Sequence, residues 1–353
     1  MKNKWLQITL SALSLGLAVV LVVYLPQIVH TLTGKHVSWR EIWAVFGSLG
    51  AGTIALMTGL WLLSLLAYTF VLTGSLPGLG RLQALTLNAA GSAVSNLLPF
   101  GGAAGVALTF AMARGWGFHS RSIVVMTLVS GVWNTLFRFV LPAVGIIALL
   151  IAGRVPNPTV ANAGWAGAVS ILVLVTVVAV ALYWDRAAAV LGRGLDSLVR
   201  LIRLRVRPSE AFHRLRADTA DVIRTRWPPL TAGMVAFLVL QGAIMVACLV
   251  ATGAYPGPAE SIAVFALSRV LTTALITPSG AGIMEAGVVV LLTSAFGVPL
   301  APATAAALLF GFWTYTIEIP FGGLALGAWA LLRRRDRRGA AAEPPSTISK
   351  APR

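Results

Sequence analysis

Stretches of about 20 predominantly apolar residues, the length that crosses a bilayer core as a helix, recur along this chain from residue 5 to residue 332. Full spans are read at about 5–25, 42–72, 122–152, 163–184, 228–253 and 302–332. Two further apolar stretches, 83–118 and 260–297, are broken at their centres by Pro and Gly. Non-helical backbone at membrane depth is tolerated only where protein or water covers it. The expected fold is an all-α integral membrane protein with about six full spans plus two re-entrant or broken helical hairpins. Two ordinary crossings per broken stretch would give the same sidedness with shorter helices.

Composition and charge agree. Of 353 residues, 58% are hydrophobic and 11% charged, whereas soluble domains carry about 25% charged residues. The net charge of +16 reads as loops facing an anionic inner leaflet, with no nucleic-acid partner. The segment from Asp185 to Arg226 holds ten Arg against five acids, and the end "LLRRRDRRG" five Arg against one Asp. The loops at 26–41, 153–162 and 254–259 carry only Lys35, Arg40 and Arg154 as bases. By the positive-inside rule the first group and both termini are cytoplasmic. Apart from Lys2, Lys4, Lys35 and Lys350 every basic residue is Arg, a bias that suits a GC-rich bacterial genome, and the bacterial inner membrane is the expected location. The run after Lys4 is too long for a signal-peptide core and lacks a small-x-small cleavage site, so an uncleaved first helix is expected. The domain division reads as a membrane unit over 1–338, with halves at about 42–152 and 228–332, a basic linker at 185–227, and a disordered cytoplasmic tail at 339–353.

The two broken stretches resemble each other. "NLLPFGGAAG" from Asn96 aligns with "LITPSGAGIM" from Leu275, Pro99 on Pro278 and Gly101 on Gly280, an offset of 179. "GVWNTLFRF" from Gly131 aligns with "GFWTYTIEI" from Gly311, Trp133 on Trp313 and Arg138 on Glu318, an offset of 180. A nearly constant offset joined to opposite sidedness argues for an inverted-topology repeat, with a binding site near the midplane at the broken helices. Pro278, Ser279, Gly280 and Gly282 would then form one hairpin tip, and Asn96, Pro99 and Gly101 the other.

Four ionisable residues fall inside membrane segments: Arg138, Arg269, Glu285 and Glu318. Each costs about 2.5–3.5 kcal/mol at a helix centre on insertion scales, more than an idle feature would keep. Arg138 and Glu318 are central in their spans and would meet if the spans tilt symmetrically. A pair about 4 Å apart at an effective dielectric near 20 gains roughly 4 kcal/mol. Such a pair could lock the halves together, or also touch a charged headgroup. Glu285 follows the glycine-rich tip, as a cap at a helix N-terminus or as a contact for a cationic amine. Arg269 could fork onto a lipid phosphate or snorkel to the interface.

Enzymatic chemistry finds no support. Cys248 stands alone, and His30, His36, His119 and His213 are dispersed without ligand spacing, so no metal and no cofactor is expected. No Gly-x4-Gly-Lys-Ser/Thr phosphate loop occurs, and Ser279 sits in no nucleophile elbow. In the linker, Leu191, Leu195, Leu198 and Ile202 share one helical face while Arg193, Arg200, Arg203 and Arg207 lie elsewhere. This basic amphipathic helix at 187–207 would rest on anionic inner-leaflet lipids, or serve as a solvated linker. A second, more polar helix should run from Pro208–Ser209 to about Arg226.

With "SNLLPFGGAAG" and "TPSGAGIMEAGVVVLLTSAFGVPLAPATAAALLFGFWTYTIEIPFGG", the chain resembles the lysylphosphatidylglycerol synthase transmembrane-region family. That family includes the flippase-type half of the multiple peptide resistance factor and stand-alone bacterial proteins. The resemblance covers nearly the whole chain, weakest in the first 80 residues. It implies a lipid flippase moving a polar-headed lipid, such as an aminoacylated phosphatidylglycerol, with Pro278, Gly280, Gly282 and Glu285 carried over by match to the motif. Two positions depart from the pattern: Gly311, where members often have Arg, and Ala104, where an acid is common. No room follows Arg338 for an aminoacyltransferase domain, so synthesis of the lipid is not expected. Membrane lipids are the expected partners, and a homodimer is left open. The rival functions are an ion-coupled small-solute transporter, which would show a small water-lined cavity, and an accessory subunit of a membrane glycosyltransferase, for which the outer loops are short and poor in acids.

Overall fold

The computed structural model describes residues 16–98 except 18, then 101–154, 162, 165–173, 176, 210–272, 277 and 280–342, without the side chains of 210–216 and 334–342. Most of the expected spans at 5–25 and 163–184, the basic helix at 187–207, Pro99, Pro278, Ser279 and the tail from 343 lie outside the described residues. The described elements are all helical: α1 (Leu25–Thr33), α2 (Trp39–Gly47), α3 (Ala51–Ser75), α4 (Arg81–Leu97), α5 (Gly101–Gly115), α6 (Ser120–Ile151), α7 (Glu210–Ala251), α8 (Pro258–Leu271), α9 (Ile283–Val290), α10 (Leu300–Gly311) and α11 (Glu318–Ala342). A π-turn, Leu291–Ala295, continues α9, and another, Phe312–Thr316, joins α10 to α11. Four stretches are long and apolar enough to cross a bilayer: Ala51–Ser75, Ser120–Ile151, Ala217–Ala251 and Leu300–Arg333. The chain is a multi-pass membrane protein.

Three boundaries differ from the sequence reading, each for a local reason. The span expected at 42–72 is divided, because Ser38 and Glu41 start α2 with a reciprocal capping box and Ser48–Gly50 interrupts the helix before α3. The Glu41 carboxylate accepts the Ser38 N–H at 2.7 Å, and this bond holds its pKa below the ordinary carboxylate value. The polar helix expected to end near Arg226 instead runs on through Pro228 and Pro229 as α7. Each proline removes one donor, from the carbonyl four residues earlier. Those carbonyls belong to half-buried Arg224 and exposed Thr225, beyond the apolar run, where water can take them. The last span passes through a π-turn and α11 reaches Ala342, into the segment expected as tail.

Small residues set the packing, as bilayer helices require when no hydrophobic drive separates them from lipid. Helices α3 and α7 form an antiparallel centre. Gly74 abuts Leu230, and Gly233 abuts Ala67 and Val71. Tyr68 meets Phe237 edge-on at 5.2 Å, and Gln241 Nε2 donates to Ser64 Oγ at 3.4 Å. Around this centre α11 lies along α4, with Gly322 seated on Ala89 and Ala93, and α8 lies along α6, with Gly145 against Ala263 and Ala266. Helices α4 and α5 fold back on each other, Gly91 against Thr109 and Gly105 against Ser95, and so do α8 and α9, with Gly287 against Leu271. Ion pairs tie both ends of α6, Arg121 to Asp218 at its start and Arg154 Nε to Glu260 at 2.9 Å just past its end.

Candidate functional site

Polar residues at helical spacing on two apolar helices build the site. Asn88, Ser92, Ser95 and Asn96 share one face of α4, and Thr127, Ser130, Asn134 and Arg138 share one face of α6. Hydrocarbon would leave these side chains unsatisfied, so they turn inward. Together with α3, α5, α7, the end of α8 and the second π-turn they enclose a cavity of about 570 Å³. Its lining on α6 runs from Met126 to Arg138 and on α5 from Gly101 to Thr109, with nothing from residues 139–151. It therefore occupies the half of the bundle at the Arg121–Asp218 end. Gly102, Ala103 and Val106 both line it and are exposed, so it reaches the outer surface of the bundle along α5.

The lining carries three charges, Arg138, Arg269 and Glu318. Glu318 opens α11 directly after the π-turn Phe312–Thr316. Its Oε2 accepts from Asn96 Nδ2 at 2.9 Å, and the same amide donates to the Tyr315 carbonyl at 3.3 Å. A π-turn interrupts the ordinary helical ladder, and here a side chain from another helix takes a carbonyl beside the interruption. Ser92 and Arg269 lie within electrostatic reach of the Glu318 carboxylate. Arg138 donates from Nε to Asn134 Oδ1 at 2.9 Å, close to Tyr68. Arg138 and Glu318 thus share a cavity but form no ion pair with each other. The direct meeting expected from the 180 offset gives way to amide partners, because each charge finds an Asn within its own reach.

Four polar atoms on this lining are buried without a hydrogen-bond partner: Gln241 Oε1, Arg269 Nε, Thr277 Oγ1 and Thr314 Oγ1.

Of the residues singled out from sequence, Asn96, Gly101, Arg138, Arg269 and Glu318 line the cavity, while Gly280, Gly282, Glu285 and Trp313 do not. Gly280 and Gly282 adopt φ of 72° and 83°, which side-chain-bearing residues rarely take. They turn the chain into α9, and Gly280 also presses on the backbone of Leu271 and Thr272. Glu285 is 1% exposed, and its Oε2 accepts the Gly282 N–H at 2.7 Å, closing the first turn of α9. Its other oxygen and the Tyr315 hydroxyl crowd the Gly311 Cα, so this is a crossing with no room for a side chain at 311. Trp313 is buried in the core at 6.4 Å from the ring of Trp61. Apart from Asn96 and Arg138, the polar faces of α4 and α6 were not singled out from sequence, nor was Gln241; the spacing 88–92–95 and 127–130–134–138 is the signal that marks two of these three elements. Among the described residues no group of three or more His, Cys, Asp or Glu could hold a metal ion.

No curated protein matches the chain. The family model described as the lysylphosphatidylglycerol synthase transmembrane region matches residues 11–322, and the chain belongs to that family.

Proposed function

We propose that this protein is a lipid translocase of the bacterial inner membrane, without enzymatic activity of its own, that moves a polar-headed phospholipid between leaflets. The observation that carries this reading is the cavity: polar and charged where α4, α6, α8 and Glu318 line it, and reaching the surface of the bundle along α5. A headgroup can sit among the side chains while its acyl chains stay in lipid. A solute transporter would need no opening toward the membrane.

The same reading takes the two hairpins as re-entrant halves of an inverted repeat among about six spans. Three observations support it. The first arm of each hairpin packs on the last helices of the opposite half, α4 on α11 and α8 on α6. The equivalent helices α3 and α7 pair antiparallel, as a two-fold axis in the membrane plane requires. The offset is 179 at Gly101 and Gly280 but 180 where α5 and the first π-turn end, at Gly115 and Ala295. One extra residue in the second half therefore falls between 280 and 295, where the helix is wound as the π-turn Leu291–Ala295, the form a one-residue helical insertion takes. On the loop charges, both termini and the Arg121–Asp218 end are cytoplasmic, and the cavity faces the inner leaflet.

The test is reconstitution. Purified protein in vesicles holding a trace of fluorescent phosphatidylglycerol should make more than the outer-leaflet half of the label reducible by dithionite. A rate equal to that of protein-free vesicles would overturn the proposal.

A further inference from the structure

The charge of the cavity constrains what it can hold. Two guanidinium groups, Arg138 and Arg269, face one carboxylate, Glu318, a formal sum of +1. The tips of the hairpins add nothing to this, since no Asp, Glu, Lys, Arg or His occurs from Leu82 to Ala113 or from Val270 to Met284, and Arg114 and Glu285, which follow, do not line the cavity. Glu318 accepts from Asn96 and lies within reach of Arg269, so the one carboxylate of the lining already faces a guanidinium, and an incoming cation would have to compete with Arg269 for it. On the cationic side there is spare capacity. Arg138 is bonded through Nε to Asn134, and Arg269, 7% exposed, has an Nε with no partner.

The unpartnered atoms sharpen the pattern. Gln241, 1% exposed, leaves Oε1 without a donor, and Thr277, 3% exposed, leaves its hydroxyl unbonded. Buried polar atoms are costly unless bonded. A guanidinium calls for a phosphate-type oxygen pair, a carbonyl oxygen such as Gln241 Oε1 calls for an O–H or N–H donor, and a threonine hydroxyl accepts either partner.

We infer that the cavity takes a phosphodiester monoanion whose second substituent is uncharged and hydroxyl-bearing, and that it discriminates against the same headgroup carrying a cationic aminoacyl group. This deepens the translocase reading and rests on it for the source being a lipid; a soluble glycerophosphodiester shares the chemistry. The phosphate lies against Arg269 and Arg138, and a headgroup hydroxyl donates to Gln241. An ammonium on the headgroup would enter a cavity whose two guanidinium groups outnumber its one carboxylate.

Binding tests this apart from transport. Thermal unfolding of the full chain in detergent is followed while titrating dihexanoyl phosphatidylglycerol, its lysyl ester, dihexanoyl phosphatidylcholine, and glycerophosphoglycerol as the soluble arm. Phosphatidylglycerol should stabilise the protein at concentrations at least tenfold below those needed for the lysyl ester or phosphatidylcholine. Equal potency of glycerophosphoglycerol would support the headgroup and assign it to a soluble solute; stabilisation by the lipid alone would support it and assign it to a lipid. Equal or greater potency of the lysyl ester, or no stabilisation by any phosphodiester, would overturn the inference. Arg269→Gln should lose the tenfold preference. Should that variant not fold, Gln241→Glu, which brings the formal sum to zero, should shift the preference toward the lysyl ester, and an unchanged preference would count against the inference. Vesicles that move no lipid while this preference holds would remove translocation and leave the headgroup. Transport without preference would do the reverse.

Discussion

Asn96 joins the first hairpin to the last helix, and the structure puts a size on that joint. Its amide donates to the Glu318 carboxylate at 2.9 Å and to the Tyr315 carbonyl at 3.3 Å. A hydrogen bond to a charged group is worth about 1.5–3 kcal/mol net. Measured interhelical bonds within membranes average only about 0.6 and reach about 1.7 kcal/mol, because the reference state also finds partners. The bond to Glu318 lies at the upper end of that range, since its acceptor is a carboxylate buried to 9% exposure. We expect a coupling of about 1–2 kcal/mol in a double-mutant cycle of Asn96→Ala with Glu318→Ala, read from unfolding in mixed detergent micelles. The Arg269→Ala cycle with Glu318→Ala should also couple, whereas Arg138→Ala should couple less, since the carboxylate's neighbours are Asn96, Arg269 and Ser92. An Asn96–Glu318 coupling within about 0.3 kcal/mol of zero, the scatter of independent sites, would show that the bond does not hold the halves together.

Three glycines give a graded series in thermal stability. Any Cβ at Gly322 meets the Ala89 carbonyl and Ala93, so Gly322→Ala should cost about 1–3 kcal/mol by overpacking. Gly145→Ala, whose nearest neighbours stand at 3.0 and 3.2 Å, should cost less, and Gly131→Ala, with nothing within 4 Å, should be neutral or stabilise by up to about 1 kcal/mol. Equal unfolding temperatures for Gly322→Ala and Gly131→Ala would contradict the α4–α11 packing. For sidedness, single cysteines at Arg81 and Gly117 in a Cys248→Ser background should react with an impermeant thiol reagent from the cytoplasmic side, and one at Tyr255 from the outside. Labelling of a cysteine at Gly102 from the outside would mean that α4 and α5 cross fully.

Both glycine-broken stretches read from the sequence as interrupted helices, and the helix pairs α4–α5 and α8–α9 with positive φ at Gly280 and Gly282 follow from residue chemistry: Pro lacks a donor, and only Gly accepts that backbone at no cost. The apolar pattern likewise located the four long membrane helices, because hydrocarbon thickness prescribes helix length. The π-turns were not legible, since they conserve composition and change only winding. Nor was the fate of each intramembrane charge. Glu285 and Glu318 are both carboxylates inside apolar runs, yet one closes a helix turn on Gly282 and the other faces a cavity beside Asn96. Sequence alone determined that these charges are expensive. Only the tertiary structure decided which partner offsets each, because the partner of Glu318 stands 222 residues away and a charge at that separation is met through packing, which no local pattern records.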